Sequence, residues 1–181
     1  MLGSTRRPAG ARTRHAMIDF ATCDLCDPFR DDPTALRVLP PEWHDYGGLP
    51  RFAGPVATVQ CVEDNLIVKA LLDSPGQGRV LVVDGGGSLR TALVGGNLAA
   101  AAARNGWAGI VVDGAVRDVA ELRATAVGVR ALALCPMPPA KRGTGSQGGP
   151  VRLRGVVVRP GDWLYADADG IVVSHQPLHG G

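Results

Sequence analysis

The sequence contains few lysines, few aromatic residues and no long apolar segment. Lys69 and Lys141 are the only lysines among 19 cationic side chains, and aromatic residues make up 4% of the 181 residues. No apolar run reaches the roughly 20 residues that a membrane-spanning helix needs. The chain is also short for two domains, since one domain commonly has about 100–150 residues. These features predict a single domain that makes no contact with a membrane.

Positive charge is concentrated at the N-terminus. The formal net charge is +2, yet Arg6, Arg7, Arg12 and Arg14 all lie in the first 16 residues, which contain no acid. Without these four, 15 cations face 17 anions, and the rest of the chain carries −2. We therefore expect no basic face and no direct contact with nucleic acid. Residues 1–16 also lack apolar periodicity, which predicts a disordered Arg-rich extension.

The N-terminal arginines are not followed by the apolar segment of a secretory signal. Four cysteines in a chain without an export signal are expected to be reduced, which predicts a cytoplasmic protein. Cys23 and Cys26 have the spacing of a metal or redox pair, but no second pair follows. Cys61 and Cys135 lie in apolar segments, where reduced cysteine is typical of a core.

Apolar patterns predict strands and helices that alternate through the middle of the chain. Strands are predicted over residues 52–62, 79–84, 107–113 and 127–134, and helices over 65–72, 96–105 and 119–123. A short helix is predicted within 21–32, a long loop over 136–150, and several strands within 151–173. This order predicts an α/β fold with a mixed sheet.

Two glycine-rich segments adjoin these elements. Asp84 to Ser88 (DGGGS) ends a predicted strand, and its N–H groups suit either an anion or a tight turn. It has neither the lysine of a phosphate loop nor the glycine spacing of a dinucleotide site. Gly95 to Leu98 opens the alanine-rich helix, with Asn97 as the expected cap. Its first-turn N–H groups suit a carboxylate, and a simple helix cap is the alternative.

Arg117 and Asp118 follow a predicted buried strand. They therefore lie at the carboxyl end of that strand, where open α/β sheets bind ligands. The planar guanidinium of Arg117 suits a carboxylate, and Asp118 offers oxygen to a hard cation such as Mg²⁺. The alternative is a salt-bridged turn in which Asp118 caps the next helix.

The combination of these segments is more specific than each one. Residues 80–98 (VLVVDGGGSLRTALVGGNL) and 106–118 (GWAGIVVDGAVRD), together with FAGP at 52–55 and CVEDN at 61–65, resemble the family of the regulator of ribonuclease activity A. The resemblance spans about residues 17–178 and implies that residues 17–181 form one domain of this family. It also implies a compact α/β/β/α sandwich that assembles as a ring-shaped homotrimer.

The resemblance implies two functions. One group of members binds a ribonuclease E-type enzyme and regulates it without touching RNA. The other group consists of class II aldolases that need Mg²⁺ or Mn²⁺, cleave 4-hydroxy-4-methyl-2-oxoglutarate to two pyruvates and often decarboxylate oxaloacetate. Similarity to the regulator branch favours an inhibitor of a ribonuclease E-type partner, and the aldolase is the alternative. The acidic residues Asp24, Asp27, Asp31 and Asp32 are either a contact region for that partner or a solvated helix face.

The aldolase motif of the family is an acidic residue, twenty intervening residues and then Arg-Asp. Arg117 and Asp118 match its second half, and the acidic position falls on Gly96. The resemblance implies that Arg117 is catalytic and that Asp118 holds the metal. It also implies that a pyruvate-like or 2-oxo acid ligand binds at Gly95, Gly96, Asn97, Leu98 and Arg117. The missing acid leaves proton transfer unexplained unless a carboxylate from another chain replaces it.

Overall fold

The computed structural model describes residues 19–178. The disordered extension predicted over residues 1–16 lies outside this range. The described helices are α1 (Thr22–Cys26), α2 (Leu66–Leu72), α3 (Gly96–Arg104) and α4 (Val119–Ala124), and a 3₁₀ turn spans Asp27–Phe29. The strands are β1 (Leu36–Val38), β2 (His44–Asp45), β3 (Phe52–Gln60), β4 (Val80–Asp84), β5 (Ala92–Val94), β6 (Gly109–Val116), β7 (Gly128–Leu134), β8 (Ser146–Gln147), β9 (Val151–Leu153), β10 (Val156–Val158), β11 (Trp163–Ala166) and β12 (Ile171–Ser174).

Ten of these strands form one mixed sheet, which confirms the predicted fold class. Its main order is β1-β12-β11-β3-β4-β6-β7-β2, with β5 paired to β6 and β8 paired to β3. Strands β3, β4, β6 and β7 are parallel, and β1, β12, β11 and β3 are antiparallel. β9 and β10 form a separate hairpin. The central parallel strands β4 and β6 are buried throughout and are largely apolar because both of their faces are covered.

Three apolar clusters show which layers cover the sheet. Val68, Leu72, Ala99 and Leu122 place α2, α3 and α4 against one face of the parallel strands. A second cluster packs the other face of β4 and β6 against the β9–β10 hairpin and against β11 and β12. A third packs α1 against the outer side of β11 and β12, around Tyr165. The predicted ring-shaped trimer concerns contacts between chains and stays a prediction.

Most predicted elements are confirmed, with three differences. β6 continues to Val116 instead of ending at Asp113, because the short strand β5 pairs with Ala115 and Val116. β1, β2 and β5 are strands that the sequence patterns do not indicate, since each has only two or three residues. The predicted loop over 136–150 contains the two-residue strand β8.

Asp64 fastens that long loop to the start of α2. Its carboxylate accepts hydrogen bonds from the backbone of Leu66, Arg142 and Thr144, and from the Thr144 hydroxyl. Burial opposes ionisation of this side chain, but the four donors outweigh it and lower the pKa of Asp64 to about 2. A buried carboxylate therefore holds a segment that has little regular structure.

Two further predictions are tested by the described residues. All four cysteines are free thiols, as predicted, and burial raises the pKa of Cys61 to about 12. Within residues 19–178, no helix is long and apolar enough to cross a membrane.

Candidate active site

The candidate site lies where β5 and β6 end side by side. The two strands are parallel, and Val94 pairs with Val116. The N–H of Arg117 donates to the carbonyl of Val94 over 3.0 Å. This pairing brings the start of α3 next to Arg117 and Asp118. The predicted site residues, Gly95 to Leu98 with Arg117 and Asp118, are therefore adjacent in space although about twenty residues separate them in sequence.

Asp118 joins the two segments directly. Its carboxylate accepts a hydrogen bond from the N–H of Gly96 over 3.1 Å, and its Oδ2 lies 3.5 Å from Nε of Arg117. Asp118 has a left-handed backbone, with φ of 60°. The carboxylate thus satisfies an N–H at the start of α3 instead of capping α4, where no side-chain cap is formed. The alternative is therefore correct in part: Asp118 stands at the N-cap position of α4 and pairs with Arg117, but its side chain makes no capping hydrogen bond to that helix.

Asn97 does not cap α3 either. Gly95 occupies the N-cap position of this helix and has no side chain with which to cap it. The side chain of Asn97 is exposed. The N–H of Gly96 donates to Asp118, and the N–H of Leu98 donates to the carbonyl of Gly95. The prediction that Asn97 is the helix cap is therefore wrong, because Asp118 from another segment supplies the acceptor.

Glu121 is a site residue that the sequence patterns do not single out. A Cβ atom built on Gly96 would overlap with Oε2 of Glu121 and would lie 2.7 Å from its Cδ. The carboxylate of Glu121 therefore fills the space that a side chain at position 96 would need. The available signal was its place in the first turn of the predicted helix that follows Arg117 and Asp118.

Charged groups of both signs surround the start of α3. Asp118 and Glu121 bring two carboxylates to the positive end of the helix, which favours negative charge. The side chains of Arg117 and Asp118 are 38% and 39% exposed. Both side chains are thus reachable from solvent, and Arg117 is the cation that an anionic ligand would meet there.

The donor set decides which metal would fit. Within the described part of the chain, no group of three or more His, Cys, Asp or Glu side chains could hold a metal ion. Mg²⁺ is commonly bound by one or two carboxylates and keeps several waters or substrate oxygens. Asp118 and Glu121 could supply one or two carboxylates to a hydrated ion of this kind, and the described residues offer no site made wholly of protein ligands.

The DGGGS segment forms a tight turn beside this region. The N–H of Gly86 donates to the Asp84 carboxylate over 3.0 Å, and the N–H of Gly87 donates to the carbonyl of Asp113 over 3.1 Å. Both glycines have a positive φ. Two of its N–H groups therefore already donate to acceptors within the protein. The segment forms the tight turn, which was the alternative to an anion site.

Asp113 is a buried acid at this edge of the sheet, and the neighbouring Asp84 is buried as well. It pairs in register with Asp84 on the neighbouring strand, and its Oδ1 lies 3.7 Å from Nε of Arg154. Burial raises the pKa of Asp113, Arg154 lowers it, and the nearby Asp84 and Glu42 raise it further. The net shift is upward, so the charged form of Asp113 is destabilised in the folded protein.

Comparison with known proteins places the chain in one family. The model of the RraA-like family, described as Aldolase/RraA, matches residues 22–173. A protein of Albidiferax ferrireducens named "Putative 4-hydroxy-4-methyl-2-oxoglutarate aldolase" is 59% identical over 164 residues, which cover 86% of this chain and 95% of that protein.

Two solved structures are also similar, and their descriptions differ. One is the RNA-processing inhibitor RraA from Thermus thermophilis, with 47% identity, a TM-score of 0.84, and coverage of 90% of this chain and 97% of the other. The second is described as an S-adenosylmethionine: 2-dimethylmenaquinone methyltransferase from Geobacillus kaustophilus, with 43% identity, a TM-score of 0.84, and coverage of 90% and 100%. These descriptions assign three different functions to one fold, so function has to be argued from the site.

Proposed function

Because the chain belongs to the Aldolase/RraA family, we propose that it is a divalent-metal-dependent aldolase that cleaves 4-hydroxy-4-methyl-2-oxoglutarate to two pyruvates. One observation carries the proposal. The carboxylate of Glu121 occupies the space beside Gly96, which is the position of the acid in the aldolase motif. The sequence alone favours the regulator, because Gly96 has no side chain that could serve as the acid of an aldolase. The carboxylate of Glu121 supplies an acid in that space.

The residues of the site have different roles in the proposed retro-aldol cleavage. In this reaction the bond between C3 and C4 breaks, the C4 hydroxyl loses its proton to give the first pyruvate, and the electron pair passes to the 2-keto group as an enolate. The enolate then takes up one proton at C3 and becomes the second pyruvate. Arg117 binds the carboxylate or keto oxygen of the substrate with its planar guanidinium. Glu121 is the group placed to move the hydroxyl proton, directly or through water.

The start of α3 holds the negative end of the ligand. The N–H groups of Gly96 and Leu98 have internal acceptors, so we assign the contact with substrate oxygen to Gly95 and Asn97. Positive helix ends and oriented N–H groups stabilise developing negative charge. A bound Mg²⁺ or Mn²⁺, held by Asp118 and by water next to Glu121, would supply Lewis-acid stabilisation of the enolate. Decarboxylation of oxaloacetate needs the same enolate, so we expect that activity also.

The test is pyruvate release from the hydroxy-oxoglutarate and from oxaloacetate, with Mg²⁺ or Mn²⁺ and after chelation. Arg117→Ala and Asp118→Ala should each reduce turnover by about 10²-fold or more, the effect of losing a positioned charged group. Arg104→Ala and Asp31→Ala remove exposed charges of the same types elsewhere and should leave turnover unchanged. Activity that survives in both site variants would exclude this site.

A second function is supported by the similarity to an RNA-processing inhibitor at 47% identity. The protein would bind a ribonuclease E-type enzyme, and the exposed Asp24, Asp27, Asp31 and Asp32 are its proposed contact region. The measurement is the rate of RNA cleavage by such an enzyme with and without this protein, compared with a variant that carries Asn at the four positions. Failure of the wild type to slow cleavage would exclude the inhibitor.

The oligomer and the cellular location belong to the same proposal. We infer that the functional unit is a homotrimer, as the family resemblance implies, and that it acts in the cytoplasm. Light scattering of the purified full chain gives the mass in solution. A mass of one or two chains would exclude the trimer.

A further inference from the structure

An acidic groove elsewhere in the described part of the chain shares no residue with the candidate site. It has a volume of about 640 Å³ and runs between the segment that joins β1 to β2 and the turn that joins β11 to β12. Val38, Pro41 and Trp43 form part of an apolar wall, and Asp45, Asp167 and Asp169 line it as well. The groove combines an aromatic surface with several carboxylates, which is the chemistry that binds a guanidinium.

The single cation among the groove residues is already engaged. The side chain of Arg130 is 4% exposed and forms an ion pair with Asp45. It also donates to the carbonyls of Pro50 and Asp167, over 2.7 and 2.9 Å. Three carboxylates and one guanidinium leave the groove lining with a charge of −2. Asp169 is exposed and is available to a cation from elsewhere.

The N-terminal part of the described chain lies against the same turn. The N–H and hydroxyl of Thr22 both donate to the carboxylate of Asp167, each over 2.7 Å. Asp169 is close enough to Cys23 to raise the pKa of that thiol through its negative charge. The residues before Asp19 are therefore joined to the fold a few residues from the rim of the groove.

We propose that this groove binds the N-terminal extension of the chain itself, through Arg12 and Arg14. Arg14 lies five positions before Asp19 and Arg12 lies seven positions before it, which allows spans of up to ~17 Å and ~24 Å in an extended chain. The first 16 residues contain four arginines and no acid, so their charge complements the groove. One guanidinium stacks on Trp43 and the other pairs with Asp169. This assigns a binding partner to the groove and does not depend on the aldolase activity.

The indole N–H of Trp43 reports on the groove in the full-length chain. In a ¹⁵N-labelled protein the three indole signals are assigned with Trp43→Phe. The double variant Arg12→Ala/Arg14→Ala should shift the Trp43 signal, and so should high salt, which screens the ion pairs. Trp107 is buried and bonded to the carbonyl of Ser74, so its signal should not move. Arg6→Ala/Arg7→Ala makes the same change in net charge and should have a clearly smaller effect on Trp43.

Two results would overturn the proposal. A Trp43 signal that is unchanged in Arg12→Ala/Arg14→Ala, or that responds equally to Arg6→Ala/Arg7→Ala, shows that these arginines do not bind in the groove. An effect that grows with protein concentration shows that the extension of a second copy occupies the groove and that the intramolecular proposal is wrong.

A second measurement uses the groove side. Trypsin should cleave the extension about threefold faster in Asp169→Asn than in the wild type, the size expected for the loss of a surface ion pair. Asp73→Asn removes an exposed carboxylate outside both the groove and the proposed partner surface and should leave the cleavage rate unchanged. Equal rates in all three proteins would count against the groove as the binding site. Neither measurement involves pyruvate release, so a failure here is distinct from a failure of the proposed function.

Discussion

The carboxylate of Glu121 occupies the space that a side chain on Gly96 would need: a Cβ built on Gly96 would overlap with Oε2 of Glu121 and lie 2.7 Å from its Cδ. The two residues are on different helices, α4 and α3, whose ends meet beside the paired ends of β5 and β6. A side chain at position 96 and the observed position of Glu121 therefore exclude each other. One acid is present in this space, and it comes from α4.

Removing the charge of Glu121 should abolish most of the proposed activity. Glu121→Gln keeps the shape of the side chain and loses its capacity to accept a proton, so we expect turnover to fall by about 10²-fold. Glu42→Gln is the control, because Glu42 is an exposed glutamate that pairs with Arg154. Pyruvate release measured across pH checks both variants. Turnover within twofold of the wild type in Glu121→Gln would mean that another group transfers the proton; the twofold limit is well below the general-base effect of about 10².

Moving the acid from α4 to α3 should preserve activity. Gly96→Asp alone places two carboxylates in one space, so we expect lower turnover and a lower melting temperature. Gly96→Asp/Glu121→Gly removes the overlap, including the 2.8 Å approach to Cβ of Glu121, and should regain turnover relative to Glu121→Gly. Thermal melting shows whether each variant is folded. A double variant that is folded and no more active than Glu121→Gly would contradict the equivalence of the two positions.

Asp64 should make folding stability depend on pH in the acid range. Its folded pKa of about 2 lies below the ordinary value of 3.8, so its contribution is complete above about pH 4 and is lost as pH falls toward 2. Asp64→Ala removes the acceptor of four hydrogen bonds, and we expect a loss of about 3 kcal/mol in the free energy of unfolding. Urea unfolding at pH 7 and at pH 3 measures both effects. A difference between variant and wild type that does not shrink at the lower pH would refute the role given to this carboxylate.

Asp113 should have the opposite effect. Burial raises the pKa of Asp113 in the folded protein. Its ionisation therefore costs no stability below the pKa of the unfolded chain, and the free energy of unfolding falls as pH rises through the folded pKa. Asp113→Asn cannot ionise, and we expect it to be more stable than the wild type at pH 7 by about 1 kcal/mol. Asp31→Asn, at an exposed position, is the control. Equal or lower stability of Asp113→Asn at pH 7 would show that its pairing with Arg154 outweighs burial.

Much of the fold follows from local patterns. The long apolar runs that became β4, β6 and β7 are buried on both faces, and the alanine-rich segment that became α3 has high helix propensity, so each was predictable within a few residues. β1, β2 and β5 were not, because two or three residues carry no periodic signal. Strand pairing formed them, and pairing with β5 also extended β6 to Val116.

The sequence by itself determined the family and brought Arg117 and Asp118 into view, because their spacing from Gly96 is a property of the chain. It also placed the excess of positive charge in the first 16 residues. Only the tertiary structure decided how the gap at Gly96 is filled. The left-handed backbone at Asp118 sets the direction of α4, and the pairing of β5 with β6 sets the position of α3. The meeting of Glu121 with Gly96 depends on both, and no spacing along the chain specifies it.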